Sequence, residues 1–488
     1  MTLLRLDADV MSGPPTDAQV IAAELHRLAA GIGASLVCHL TAHDGFGMRT
    51  FYGEAFTLAL LTRLGTLDSE TERRLLRAFE TKDRTDSQYH WEFNHYGMLE
   101  AGRAKPPLTF KHTPCTNWTL LRANVRVRSG TARERGLTEA LKKLGRMQNT
   151  AGLILDDPGV RSFQYHCFSA AMVFELYGAT QEPRFLQSFR RAVAFIRNFI
   201  LPDGDTLYVG RGQQQSFGYA SLAYILSAAC SVDDDPTLLE DLQRVTHHIS
   251  IFERADGSLP LVLGGGTEPL PHPTAPHRDP QYPGWYAYNN HFDYLPFSGL
   301  FLHKAAALLG TTRATRAAPV AQRPYRDRDF LKIVAGGTIA VVARPGGYWS
   351  NDLPVPYVYS DGRARTCCYG GEQFGGGIYS TLGIPLPLHG ARSLRWRSLS
   401  FFAGNALVVL SPLGAMIRRY EVSERRVHIR SKLLSLLNFR DRYLFPTDGP
   451  VVTSTHQLKP AGIEYSASGA LRAFEAARVG NVSLDFPA

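Results

Sequence analysis

Several signatures are missing from this 488-residue chain, and each absence closes a class of function. There is no phosphate-binding Gly-x-x-x-x-Gly-Lys-Ser/Thr loop, no nucleophile elbow, no His-Glu-x-x-His and no dinucleotide fingerprint. Nucleotide-dependent, serine-hydrolase and zincin chemistry therefore have no motif to stand on. Cysteine is scarce, with six in the whole chain. Cys38, Cys115, Cys167 and Cys230 are scattered and Cys367-Cys368 are adjacent, a spacing that suits neither a disulfide scaffold, a zinc ribbon nor a redox Cys-x-x-Cys. No Lys-rich tail accounts for the formal net charge of +9. Charge spread in this way fits an anionic ligand met in a cleft better than a nucleic-acid arm, and the Arg-rich balance suits carboxylate recognition. Residues 1–12 carry two acids and no continuous apolar stretch, and no later run reads as a membrane span. The expectation is a cytoplasmic protein that binds neither membrane nor nucleic acid, although a chain trimmed of an export signal would read the same way.

What is present is an ordinary globular composition, 44% hydrophobic and 20% charged, at a length that favours two domains. Apolar periodicity is helical up to about residue 312, with expected helices over 17–30, 52–64, 69–80, 134–147, 163–177, 183–200, 216–230, 237–252 and 291–309. Asp157, Asp203 and Asp256 recur in similar loops at about the length of a helical hairpin, which argues for stacked α-hairpins. Polar and aromatic residues cluster at the heads of several helical segments, so a closed (α/α) toroid around one cavity is expected over 1–312 rather than an open solenoid. Residues 313–328 read as an Ala, Pro and Arg-rich linker. From 329 to 488 short β-type runs take over, at 338–343, 398–402, 406–410 and 426–430, and predict an antiparallel β-sandwich. The patches 432–437 and 470–477 suit helix or strand equally. The fold class is thus α+β and multidomain, helices first and sheets second.

The densest cluster is Tyr89-His90-Trp91-Glu92-Phe93-Asn94-His95-Tyr96, where helical spacing sets Trp91, Asn94 and His95 on one face. Related clusters surround Tyr165 and His166, Gln215 and Tyr219, and the run Trp285 to Tyr294. Aromatic platforms with amides and imidazoles are the equipment of a sugar site. Trp91, Trp118, Trp285 and Tyr288 would stack on sugar rings, and Asn117, His166, Arg211, Gln215, Tyr219 and Asn290 would bind hydroxyls or carboxylates. A sugar acid can be cleaved without water by removing its C5 proton and expelling the O4 substituent, which needs carboxylate neutralisation, a base and an acid. Asn and His can serve the first need and Tyr the others, provided that a neighbouring cation such as Arg49, Arg211, His95 or His166 favours the phenolate.

At this point the chain resembles heparinase II/III-like and oligoalginate-type polysaccharide lyases. The resemblance rests on the toroid-then-sandwich order, the Asn94-His95 pair on an early helix, and Asp156-Asp157 followed by Tyr165. It implies Asn94 and His95 as carboxylate neutralisers and Tyr165 as the catalytic tyrosine, with a further histidine from elsewhere. His389, His428 and His456 stand in no motif that marks one of them, and a set of Asn290, His291 and Tyr294 stays open. The expected activity is β-elimination on a uronic-acid-containing poly- or oligosaccharide. No cofactor is needed for that chemistry, and a divalent metal that is structural or neutralises charge stays open. The alternative is a toroid glycoside hydrolase working through paired carboxylates drawn from Asp44, Asp86, Glu92, Asp203 and Asp293. A non-catalytic glycan-binding protein is the third class. Glycan identity, cut position and oligomeric state are not written in the motifs.

Overall fold

The computed structural model describes residues 16–47, 49–85, 90–103, 115–210, 214–264, 291–310, 312, 321–345, 354–367, 385–388, 392–395, 399–411, 414–435, 440–447, 449–466 and 469–487. The helices are α1 (Asp17–His43), α2 (Gly53–Leu64), α3 (Ser69–Glu80), α4 (Trp91–Glu100), α5 (Thr116–Ser129), α6 (Arg133–Met147), α7 (Phe163–Thr180), α8 (Pro183–Arg197), α9 (Ser216–Val232), α10 (Pro236–Ser250) and α11 (His291–Leu309). Two kinds alternate. On α3 burial falls on Thr71, Leu75 and Phe79, and on α6 on Gly136, Ala140 and Leu144, a narrow stripe every fourth residue. By contrast α9 is buried without a break from Ser216 to Cys230, and α7 and α11 nearly so. A helix apolar all round must be enclosed on every side, whereas a striped one covers it from outside.

The packing follows that division. Helices α2, α4, α5, α7, α9 and α11 each touch the next, and α11 returns to α2, which closes a ring of six inner helices. Against them from outside lie α1 on α11 and α2, α3 on α2, α6 on α5, α8 on α7 and α10 on α9. This is the toroid. Its axis is filled by rings: Phe297 stacks on Phe56 at 5.0 Å and on Phe301 at 4.5 Å, with Phe168 edge-on at 5.3 Å. The inner helices run parallel, because their C-terminal turns meet in one buried ion cluster. There Arg128 reaches Glu100 at 2.6 Å and Glu175 at 3.0 Å, Lys304 pairs with both acids, and Tyr96 donates to Glu175. Burial alone would raise the Glu100 carboxyl, but Lys304, Arg128 and Arg63 hold it well below the usual range. Helix α1, long and apolar enough to cross a bilayer by length and composition, spends its apolar stripe on α11 and α2.

The second half is layered. The five-stranded sheet is β1 (Tyr325–Arg326), β2 (Phe330–Ala335), β3 (Thr338–Ala343), β4 (Tyr357–Ser360) and β5 (Arg363–Ala364), in that order. β1 falls inside the stretch read as a linker. One face of this sheet meets the toroid, where Phe330 sits among Phe163, Phe195 and Phe199, Tyr208 stacks on Tyr357 at 4.1 Å, and Arg161 bonds Asp329 at 2.8 Å. Its other face joins a second core with the six-stranded sheet, which explains why β3 is apolar at nearly every position instead of alternating. β6 (Pro385–Leu388) and β7 (Arg392–Arg395) form a hairpin. The six-stranded order is β13-β16-β11-β10-β9-β8, from β8 (Leu399–Ala403), β9 (Ala406–Ser411), β10 (Gly414–Ser423), β11 (Arg426–Leu434), β13 (Val451–Ser454) and β16 (Val482–Asp485). β12 (Asp441–Pro446), β15 (Gly469–Ala476) and β14 (Lys459–Ser466) make the remaining sheet, all antiparallel. Of the two ambiguous patches, 432–434 is strand at the end of β11 and 470–476 is strand in β15, while residues 436 and 437 lie outside the described residues. Inside this sandwich Arg418 is buried and grips Asp441 at 2.9 and 3.1 Å.

Candidate active site at the mouth of the helical ring

Because the six inner helices are parallel, their first turns share one end of the toroid. Each delivers a ring there. Tyr52 precedes α2, His90 precedes α4, Phe93 is in its first turn, and Trp118, Tyr165, Phe217 and Tyr294 begin α5, α7, α9 and α11. They touch in sequence: Trp118 lies edge-on to His90 at 5.1 Å and to Phe93 at 5.5 Å, and Phe93 stacks on Tyr52 at 4.7 Å. Tyr294 is 6.5 Å from Tyr52 and 4.6 Å from Phe217, which is 6.0 Å from Tyr165. Tyr165 is also close enough to Tyr52 to raise its phenol electrostatically. Three phenols therefore stand together at this end of the ring, Tyr52, Tyr165 and Tyr294 being 4%, 5% and 2% exposed among the described residues, with Tyr294 hydrogen-bonded to the Tyr52 oxygen.

The ring is fastened at the α2–α11 junction by Asp293. Its carboxylate, fully buried, accepts from the backbone N–H of Phe51 at 3.0 and 3.1 Å and of Tyr52 at 2.8 Å. Gly53 follows, and a Cβ there would sit 2.3 Å from the Phe292 carbonyl oxygen, so no larger residue lets α2 approach α11 this closely. Burial raises the Asp293 carboxyl to about 7, against the lowering effect of the Tyr52 and Phe51 N–H groups. Tyr52 is pushed well above the ordinary phenol value by burial first, then by Asp293 and Tyr165, with the Tyr294 bond opposing. Behind Tyr52, Lys82 pairs with Glu54 at 2.8 Å and donates to the Thr50 carbonyl at 2.7 Å. Six helix N-termini also point at the mouth, each carrying roughly half a positive charge, which favours an anion there.

His90 holds a left-handed backbone, φ 53° and ψ 60°, which a residue with a side chain adopts only under constraint. Its ring stacks on Phe51 at 4.5 Å. This conformation turns the imidazole inward over the mouth, a placement that no helical wheel foretells. Tyr52, His90, Phe93 and Phe217 are the mouth residues that were not among the expected site residues. The signal for Tyr52 was there, since Phe51-Tyr52 is another aromatic pair at a helix head.

The expected residues divide. Tyr165, Tyr294 and Trp118 are at the mouth, and Asn94 is beside it, its amide donating to the Phe51 carbonyl at 2.8 Å and so holding the segment that presents Tyr52. Trp91 and His95 do share a face of α4, but that face turns away from the axis, because Phe93 takes the inward position. His95 packs edge-on to Trp91 at 5.9 Å, and burial with the Arg84 charge lowers it to about 4. His166 is a core residue: one ring nitrogen meets the Ile154 N–H at 2.9 Å and the other the Ala192 carbonyl at 3.0 Å. Tyr219 points outward from α9 and donates to Asp205 at 2.5 Å, on the side facing the sheets. Gln215 accepts from Gln164 at 2.7 Å. These two are committed to structure. Asn117 is 0% exposed, and neither end of its amide has a hydrogen-bond partner. Two turns below it on α5, Asn124 donates to the Met172 carbonyl of α7 at 3.4 Å, and seven residues back along the two parallel helices stand Asn117 and Tyr165, so helical register sets them level. His291 opens α11 at the inner end of a groove of about 1010 Å³, lined also by His39, His43, Phe46, Arg254 and Phe292. Arg211, Trp285, Tyr288, Asn290, Asp86 and His389 lie outside the described residues.

The carboxylates named for hydrolysis that fall among the described residues are occupied or remote. Glu92 pairs with Arg122 at 3.2 Å, Asp293 holds backbone N–H groups, and Asp44 is an exposed C-cap of α1. Asp203 sits by Asp205, Arg244 and the sheet residue Tyr359; burial and Asp205 raise it to about 7. Among the described residues no group of three or more His, Cys, Asp or Glu side chains is placed to hold a metal.

No family model matches the sequence, and no curated protein does. Similar solved structures include the heparan sulfate lyase HepC from Pedobacter heparinus, 11% identical over 89% of this chain and 68% of that one, TM-score 0.41. A glycosyl hydrolase family 88 protein from Bacteroides vulgatus is 12% identical over 60% of this chain and 99% of that one, TM-score 0.41. The type II terpene cyclase MstE from Scytonema, in a substrate complex, is 15% identical over 59% of this chain and 99% of that one, TM-score 0.38. Likeness at this level spans unrelated chemistries and decides none of them.

Proposed function

We propose that the chain is a lyase that cleaves a uronic-acid-containing poly- or oligosaccharide by β-elimination at the mouth of the helical ring. The observation that carries this reading is the gathering of Tyr52, Tyr165 and Tyr294 at a mouth ringed by six helix N-termini, where the described carboxylate, Asp293, is already engaged. Phenols can serve both proton transfers of an elimination, whereas hydrolysis needs two carboxyl groups flanking the bond. Tyr165, set in the field of the helix N-termini, acts as the base that takes the C5 proton. The freed electron pair forms the C4–C5 double bond as the C4–O4 bond breaks. Tyr52, kept protonated by burial and Asp293, delivers a proton to the departing O4 and is reprotonated through Tyr294. His90 and the helix N-termini offset the charge that builds on the uronate carboxylate and the enolate-like carbon next to it. Asn94 acts as a positioning residue through Phe51.

The test is a panel of uronate polysaccharides and oligosaccharides followed by ultraviolet absorbance of the unsaturated product alongside a reducing-end assay. Absorbance and reducing ends should rise together, and Tyr165→Phe should lower the rate by about 10²–10⁴-fold, the usual worth of a positioned acid–base group. New reducing ends without absorbance, or full activity of Tyr165→Phe, would overturn the proposal.

A further inference from the structure

The outer face of the six-stranded sheet carries an apolar surface that neither half of the fold uses. Antiparallel register aligns Leu399, Leu410, Ala415 and Leu434 in one cross-strand row from β8 to β11. The next row on the same face is Phe401, Val408, Ile417 and Lys432. Alternate residues of these strands, such as Val409, Met416 and Ile429, turn inward to the sandwich core. Leu399, Phe401, Leu410, Ile417 and Leu434 are 62%, 40%, 39%, 47% and 79% exposed. Nine large hydrophobic residues are exposed among the described ones, and five of them stand in these two rows. Chance scatter does not concentrate them so.

We propose that this face is the contact between two copies of the chain, stacked sheet on sheet with their strands antiparallel. Its chemistry selects the occupant. The rows hold aliphatic side chains, a single phenyl ring and no amide or carboxylate, so a glycan would find little to grip, and a flat aliphatic face is best matched by another like itself. Size agrees. At about 180 Å² per whole large apolar residue, the exposed fractions leave roughly 500 Å² of apolar surface in one patch, against about 800 Å² per partner in a standard interface including its polar rim. Lys432, Arg419 and Arg430 border the patch and supply that rim. Charge sets the orientation: Arg419 faces Arg430 in the third row, and a parallel stacking would lay this row over its own copy. Antiparallel stacking carries the two arginine rows to opposite ends, so that Arg419, and Arg430 with its partner Glu421 at 3.0 Å, do not face their own copies. The inference is independent of the reading of the ring mouth.

Sedimentation velocity or light scattering of the full chain over a concentration series tests it. The expected result is a shift from 54.0 kDa towards twice that mass in the micromolar range. The exposed-site pair Phe401→Ser and Ile417→Asp should weaken association at least about 100-fold with an unchanged melting temperature, because a charge would be buried at the centre of the contact. Ile463→Ser, an equally exposed position on the other sheet, should leave association intact. A wild type that stays monomeric at 100-fold higher concentration overturns the proposal, as does a dimer that survives in the double variant. Monomeric protein that instead floats with vesicles of anionic lipid would assign the face to a membrane and equally overturn it.

Discussion

Replacing Asp293 by asparagine should change how stability depends on pH, and the size of the change follows from where this carboxyl sits. It is fully buried, and its folded value of about 7 lies above the ordinary 3.8. A carboxyl raised in this direction binds its proton more tightly in the native state than in the unfolded chain. Its contribution is therefore fully present below pH 3.8 and is lost as pH rises through 7. The span of 7 − 3.8 units, at 1.36 kcal/mol per unit, sets an upper bound of about 4 kcal/mol. The amide of the Asp293→Asn variant would carry no charge and so no such slope. It would instead suffer a pH-independent penalty of about 1–3 kcal/mol, because its NH₂ group would face an N–H donor of Phe51 or Tyr52. Denaturant unfolding of both proteins at intervals from pH 4 to 8 measures the difference. Asp203, also raised to about 7, contributes the same slope to both and cancels. The variant should be the less stable at pH 4 and gain steadily on the wild type as pH rises, approaching or passing it by pH 8. If the two stability curves run parallel within about 0.5 kcal/mol, Asp293 is not the buried, proton-holding clamp described here.

Three further outcomes are expected. His90→Gly should relieve the left-handed backbone and leave stability within about 1 kcal/mol of wild type, while turnover of a uronate substrate falls at least tenfold, so melting and rate should separate. Gly53→Ala should cost several kcal/mol in thermal unfolding, about 3 or more, because its Cβ meets a backbone carbonyl that cannot retreat without parting α2 from α11. In the sandwich, Asp441→Leu alone should cost about 3–5 kcal/mol by stranding Arg418, whereas Arg418→Met together with Asp441→Leu should recover most of it; a double variant as unstable as the single one would contradict a simple buried pair.

Much of the helical half is legible in the sequence because hydrophobic periodicity is a local property. The expected segments 69–80 and 291–309 coincide with α3 and α11, and the expected 237–252 overlaps α10, which Asp235 caps just before Pro236. The segment that escaped, α5, carries Asn and Arg on buried faces, so its polarity hides it, whereas α4 is legible through the helical spacing of its aromatic cluster. Helix α1 runs on to His43 through Gly31 and Gly33, which look like an ending but are there to admit the Gly257 turn and Leu64. The candidate site divides along the same line. That aromatic and polar residues at helix heads would converge is readable from their repetition. Which member of each cluster faces inward is not: Phe93 and His90 look in while Trp91 and His95 look out, and His166 lies one residue round the helix from Tyr165 in the core.

By itself the sequence determines that helices come first and sheets second, that several helix heads carry clustered aromatic and polar residues, and that nucleotide and zincin machinery have no motif, since each of these depends on neighbours within a few turns of chain. Only the tertiary structure decides that six inner helices run parallel and close through Asp293 and Gly53, because that closure joins residues more than 200 positions apart. It also decides which side of every helix is the axis. A rotation of about 100° between successive residues separates a phenol at the mouth from an imidazole locked in the core, and nothing in a local pattern fixes the zero of that rotation.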